Sequence, residues 1–234
     1  MKLDAPKFGN NFMTMPKKEL TPLKLETPEQ FGRFLHILWD ELYWANFYYD
    51  MFKETGRLCT EHKDVFSTSP FFWHFTLKSH CQTALVYLHR VYDQNKQSFN
   101  LHRFLLTVGE NRRIFDSTAV RARRAGDSHV EDLIRSIGVL DLAQLDRDIA
   151  FSSNTNPMVA NLNQWRDRIT FHKDERELFR QKPFEDDHPL PFATIEQLLE
   201  GGFRILKRYW EYFDTTQPSL GCREWNDVKF LFER

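Results

Sequence analysis

The sequence predicts an all-α fold, on three observations. Apolar residues recur at alternating spacings of three and four in three long segments, helix-start residues precede two of them, and sheet signals are missing. The first segment opens at "TPEQ", where Thr27 can cap, Pro28 suits the first helical position and Gln30 occupies the return position of a capping box. Phe31, Leu35, Leu38, Leu42, Ala45, Tyr49 and Phe52 then form one seam that runs to about Thr55. At the rise of an α-helix this is a rod of roughly 40 Å.

The second segment repeats the device. Ser69 and Pro70 supply cap and first position, and Leu77, Cys81, Ala84, Leu88 and Val91 carry the seam to near Asp93. The short linker between these two helices favours antiparallel neighbours. A third seam joins Ile195, Leu199, Gly202, Leu206, Tyr209 and Phe213, and Pro157 opens a fourth helical stretch that includes "NLNQWRDRITFHKDE". Four such helices make a four-helix bundle, with additional short helices over "NLHRFLLTVG", between Asn100 and Gly109, and over "DLAQLDRDIAF", from about Asp141. No Asn-Gly hairpin, long alternating strand or Gly-rich phosphate loop argues for a sheet. Residues 1–27 are expected to form an extended arm, 28–214 the bundle, and 215–234 a tail packing on the bundle.

Composition narrows the function classes. The chain has 234 residues, 41% of them apolar and 15% aromatic, enough for one substantial core. Lys+Arg of 32 against Asp+Glu of 33 leaves a net charge of -1, so attraction to an anion has to be local. Cys59, Cys81 and Cys222 are far apart and form no CxxC pair, which argues against a disulfide framework and a cysteine zinc site. Neither a signal peptide nor a membrane span is visible, so a cytoplasmic protein without a membrane partner is the expectation.

The chemistry concentrates at residues 161–175, where Trp165, Arg166, Arg168, His172 and Asp174 crowd together. On an uninterrupted helix Arg168 and His172 share a face, whereas Arg166 is turned from His172 by about 120°. Arg166 and His172 meet if the helix ends near His172 or if two copies face each other. The plainer reading is the polar end of a structural helix, with Asp174 as a local charge partner. Metal sites find little support: the one Glu-x-x-His, Glu185 to His188, is flanked by prolines, and His74, His80 and His89 lack ligand spacing. No cofactor is expected. The aromatic run "PFFWHF" reads as core or dimer contact rather than a base-stacking platform.

"WRDRITFH" also fits the R-x(4–6)-H motif of the HEPN superfamily. The chain resembles the abortive-infection HEPN proteins of the AbiU type through its long aromatic first helix, "HRVYD", "NLHRFL", and a Trp-Arg-Asp-Arg stretch leading to His-x-Asp. The resemblance covers about Phe31 to Phe213. It implies an HEPN-like four-helix bundle in which Arg166 and His172 form the catalytic pair, supported by Arg168, Asp174, Arg90 and Asp93; Phe171 stands where a small residue commonly precedes the histidine. It implies metal-independent RNA cleavage by a toxin-type effector, in phage defence or a toxin–antitoxin system, working as a homodimer with its cleft between protomers. A neutralising antitoxin of nucleotidyltransferase type follows from the same resemblance. The chemistry suits the residues, because an imidazole can move protons near neutral pH and a guanidinium can clamp a phosphate. The alternative is a non-catalytic bundle that binds a protein or nucleic-acid partner.

Two further features have local readings of their own. Arg90 and Asp93, three apart, suit an intrahelical ion pair, or Asp93 orients the motif from the neighbouring helix. Arg112, Arg113, Arg121, Arg123 and Arg124 form a basic run that could track an RNA backbone or simply be a solvated face.

Overall fold

The computed structural model describes residues 20–166 and 189–214, and every regular element among them is helical. Helix α1 (Pro28–Glu61) has 34 residues, about 51 Å of rise. Pro28 takes the first turn after an extended Thr27, but the Thr27 side chain does not cap the backbone. Gln30 instead reaches past it, its Oε1 accepting from Glu26 N at 2.7 Å. The helix runs beyond Thr55, and a short α2 (Lys63–Thr68) fills the linker before α3 (Pro70–Tyr92). α3 returns antiparallel along α1, so Tyr48 lies beside Tyr87 while Leu58, further along α1, packs near Trp73.

The remaining elements follow local cap chemistry closely. α4 (Leu101–Glu110) starts where Asn100 Oδ1 accepts from Arg103 N at 2.8 Å, and Gly109 sits inside its last turn rather than ending it. A 3-10 turn (Arg112–Phe115), α5 (Ser117–Arg123) and α6 (Val130–Ile137) precede α7 (Leu142–Ser152), which Asp141 caps through Gln144 N. α8 (Pro157–Trp165) is capped by Asn156, and α9 (Phe192–Asp214) is the last described helix.

α1 packs on α3, α3 on α8, α8 on α9, and α9 back on α1, which closes a four-helix ring. The seams explain the closure: Phe31, Leu35, Leu38 and Leu42 from α1 meet Leu88 and Val91 from α3 and Leu198, Leu206 and Tyr209 from α9 in one core. α4 seals one end by bringing Phe104 within 5.1 Å of the Phe31 ring. Gly202 allows α9 to approach closely, since a Cβ there would stand 2.9 Å from Leu42 Cδ2. Beside it, the fully buried Tyr92 hydroxyl donates to Leu198 O at 2.6 Å, tying α3 to α9. Tyr92→Phe removes this bond at nearly constant volume and is expected to cost about 1 kcal/mol in urea unfolding. An unchanged unfolding midpoint would count against the bond.

Residues 20–27 lie along α4, where Leu23 N donates to Thr107 Oγ1 at 2.9 Å and Arg103 Nε to Thr21 O at 3.0 Å. The far ends of α1 and α3 hold a separate small cluster of Leu58, Cys59 and Trp73, with Val65, Phe66 and Leu77 around it. The "PFFWHF" run divides there: Trp73 enters this cluster, whereas Phe71, Phe72 and Phe75 are exposed. Cys59 and Cys81 are free thiols pushed up by burial. Among the described residues no helix is long and apolar enough to cross a membrane.

Candidate active site

Two helix ends converge to build the site. α3 stops at Asp93, whose backbone leaves the helical region, and α8 reaches Arg166 with helical geometry at its C-cap. Packing of α8 on α3 brings the two side chains together, and Arg166 Nη1 donates to Asp93 Oδ1 in a half-buried ion pair. Asp93 Oδ1 also accepts from Asn95 N at 3.0 Å, which fixes the carboxylate from the loop side. One turn earlier on α8, Asn163 donates through Nδ2 to Tyr92 O at 3.3 Å and to Asn154 Oδ1 at 2.9 Å. The last turn of α8 is thus pinned to the last turn of α3 by polar contacts.

Of the two arginines considered as partners for Asp93, the structure pairs it with Arg166. Arg90 turns toward α1 instead, its Nη1 3.4 Å from Glu41 and its guanidinium 5.2 Å over the Tyr87 ring. Arg168, His172 and Asp174 lie outside the described residues, so the second half of the motif has no geometry here.

His89 is the residue sequence reasoning missed. It is 1% exposed and lies four residues before Asp93, one turn earlier along α3. Burial, with the Arg166 guanidinium adding to it, pushes its imidazole down from 6.5 to about 3. The only sequence signal was its position beside the Leu88 seam, which ordinarily marks core.

This has a consequence for pH. The folded state holds His89 neutral over a range where the unfolded chain protonates it, so stability is full above 6.5 and falls progressively toward about 3. The slope from this one residue is about 1.4 kcal/mol per pH unit. Urea unfolding between pH 7 and pH 5 is expected to weaken more steeply in wild type than in His89→Gln, and parallel curves would remove His89 as the cause.

The basic run lies elsewhere, and its members have separate surroundings. Arg112 Nε donates to Gly109 O at 2.8 Å, Arg121 pairs with Glu131 at 2.6 Å, and Arg124 is 4.0 Å from Asp127. Arg123 donates to Ile114 O at 2.6 Å and Phe213 O at 2.9 Å and stacks on the Phe213 ring, so it fastens α5 to α9. Arg113 is exposed. Arg112 also borders a cavity of about 820 Å³, with Phe115, Val120, Ile134 and Arg135 among its walls. Neither Arg166 nor Asp93 is part of that lining. Among the described residues no group of His, Cys, Asp and Glu could hold a metal ion.

The closed all-α ring, with Arg166 at its polar end, matches the helical bundle that the resemblance to HEPN proteins implies. The family model described as AbiU2, HEPN_AbiU2, matches residues 28–221, and the chain belongs to that abortive-infection family. No curated protein and no solved structure matches the chain.

Proposed function

We propose that this protein is a metal-independent endoribonuclease of toxin type, acting through Arg166 and His172 in abortive infection or a toxin–antitoxin pair. The observation that carries the reading is the Arg166–Asp93 pair, an oriented and partly exposed guanidinium six residues before His172 in the chain. Arg166 Nη1 donates to Asp93 Oδ1, and a guanidinium's planar fork of N–H donors is the side-chain group that pairs with phosphate oxygens.

In this mechanism a ribose 2′-oxygen attacks the adjacent phosphorus as the His172 imidazole takes its proton. The bond from phosphorus to the 5′-oxygen breaks, and the leaving oxygen takes a proton from water. The products are a 2′,3′-cyclic phosphate and a 5′-hydroxyl. Arg166 opposes the charge that builds on the non-bridging oxygens, where charge-assisted hydrogen bonds are strongest. Arg168 and Asp174 stand close by in the chain as further phosphate and histidine contacts. The reading includes a second copy of the chain completing the cleft and a neutralising nucleotidyltransferase-type partner, both carried over from the resemblance to abortive-infection HEPN proteins.

Purified protein in EDTA is expected to cut RNA to cyclic-phosphate ends, which end-group analysis detects. Products with other ends would refute the mechanism, and RNA left intact across a broad pool would leave a partner-binding bundle as the function.

A further inference from the structure

We infer that Asn163 is a positioning residue for Arg166: its side-chain amide, three residues before the arginine on α8, fastens that helix to the end of α3 beside Asp93, so that the guanidinium meets the carboxylate in one orientation. The effect on activity rests on the ribonuclease reading proposed above, whereas the placement of Arg166 does not.

The structural basis is one carbonyl. Tyr92 is the last residue of α3, where a carbonyl has no partner within the helix. Two side-chain amides supply donors instead. Asn163 Nδ2 gives to Tyr92 O at 3.3 Å from α8, and Gln94 Nε2 gives to it at 3.2 Å while also reaching Ser152 O, at the end of α7, at 3.1 Å. The Tyr92 hydroxyl is itself bonded to Leu198 O of α9 in the core. The residue that Asn163 grips is therefore fixed from α7 and α9 as well. Asn163 Nδ2 also donates to Asn154 Oδ1 at 2.9 Å, which ties α8 back to the turn that precedes it.

Arg166 alone does not set the position of its own helix. Its side chain is long, with several rotatable bonds, and could follow Asp93 through many placements of α8. The Asn163 side chain has only two torsions and is 8% exposed, so its bond constrains the backbone of α8 rather than the tip of a flexible chain. Residues three apart share a side of a helix, and Tyr92 and Asp93 are consecutive, so the two contacts together fix the rotation and the height of the last turn. A guanidinium delivered from a fixed turn loses little freedom when a phosphate arrives.

Stability and placement separate at this residue. Asn163 Oδ1 is buried and has no hydrogen-bond partner among the described residues, a penalty that an aliphatic side chain of similar size does not carry. The two acceptors that Asn163 serves have other donors: Tyr92 O keeps Gln94, and the half-buried Asn154 can turn to water. Asn163→Leu therefore removes the placement with little loss of stability.

Urea unfolding of Asn163→Leu is expected to keep a midpoint close to that of wild type. Cleavage of a short RNA in EDTA by the same variant is expected to show kcat lower by about tenfold or more with KM within about twofold, and Asn163→Gln, which keeps an amide donor, is expected to recover part of that loss. A kcat for Asn163→Leu equal to that of wild type, whatever its midpoint, overturns the assignment.

A second readout needs no activity. Rotation of the Arg166 guanidinium about Nε–Cζ, followed by NMR on the signal that disappears in Arg166→Lys, is expected to be restricted in wild type and released in Asn163→Leu. Free rotation in wild type, or restriction that persists in Asn163→Leu, refutes positioning and leaves the ribonuclease reading untouched. If wild type fails to cut RNA while Asn163→Leu releases the guanidinium, the ribonuclease reading falls and the positioning role stands. Should Asn163→Leu not fold, Asn163→Ala takes its place with the same expected release.

Discussion

Arg166→Ala is expected to lower metal-free RNA cleavage by about two to three orders of magnitude, the usual effect of removing one preorganised donor from a developing oxyanion. The fall should appear mainly in kcat, because the phosphate carries more charge in the transition state than in the bound substrate. Arg166→Lys keeps the charge but replaces a planar fork by a point charge, and most of the loss is expected to persist. His172→Ala should reduce the rate by roughly two to four orders of magnitude and flatten the pH profile near neutrality. Asp93→Asn is the informative companion. It keeps an oxygen toward Arg166 but removes the opposing charge, so a smaller loss is expected than in Arg166→Ala. Equal cleavage by wild type and Arg166→Ala, with circular dichroism unchanged, would take the chemistry away from this end of the bundle.

Asp148→Ala is expected to destabilise the fold by about 3–5 kcal/mol, a large part of the stability of a domain this size. Asp148 is 4% exposed. Its carboxylate accepts from Gln144 Nε2 at 2.8 Å, from the Tyr209 hydroxyl at 3.0 Å and from Arg208, so it joins α7 to α9. Removing it leaves a buried hydroxyl and a half-buried guanidinium without their shared acceptor. Burial and the nearby carboxylate both hold the Tyr209 phenol protonated, well above its ordinary value, so it remains a donor. Asp148→Asn keeps an acceptor and should cost less than alanine. Urea unfolding measures both, and a cost for Asp148→Ala below about 1 kcal/mol would show that water replaces the network.

The bundle was legible because its determinants are periodic. Seams in α1, α3 and α9 can be seen in the chain without knowing what they pack against, and Asn100, Asp141 and Asn156 carry start signals that need only their own neighbours. The end of α1 and the whole of α2 were hidden for the converse reason. Past Thr55 the apolar residues serve a second, smaller cluster, so the main seam stops although the helix continues. α5 and α6 are too short for a period to show.

The site divides along the same line. Arg166 and Asp93 could be named because a motif resemblance pointed at them, whereas His89 resembled any residue on a seam. Asp148 and Arg208, 60 residues apart, carry no local signal that connects them. Arg123 seemed part of a basic face because its carbonyl partners, Ile114 and Phe213, leave no trace in a charge count.

α1 outlasts the core it serves. Among the described residues, its final turns, α2 and the first turns of α3 pack on the small cluster around Trp73 rather than on the main core. Such a segment is a separate cooperative unit: it can unzip and reclose while the ring below stays intact. Amide protons of residues 56–72 are therefore expected to exchange through openings that cost less than global unfolding, and a protease should nick there first. Exchange rates there equal to those of the α1 seam between Phe31 and Leu42 would show one unit instead of two. A tip that loosens independently also spares the Arg166 end from its fluctuations, since the two lie at opposite ends of α3.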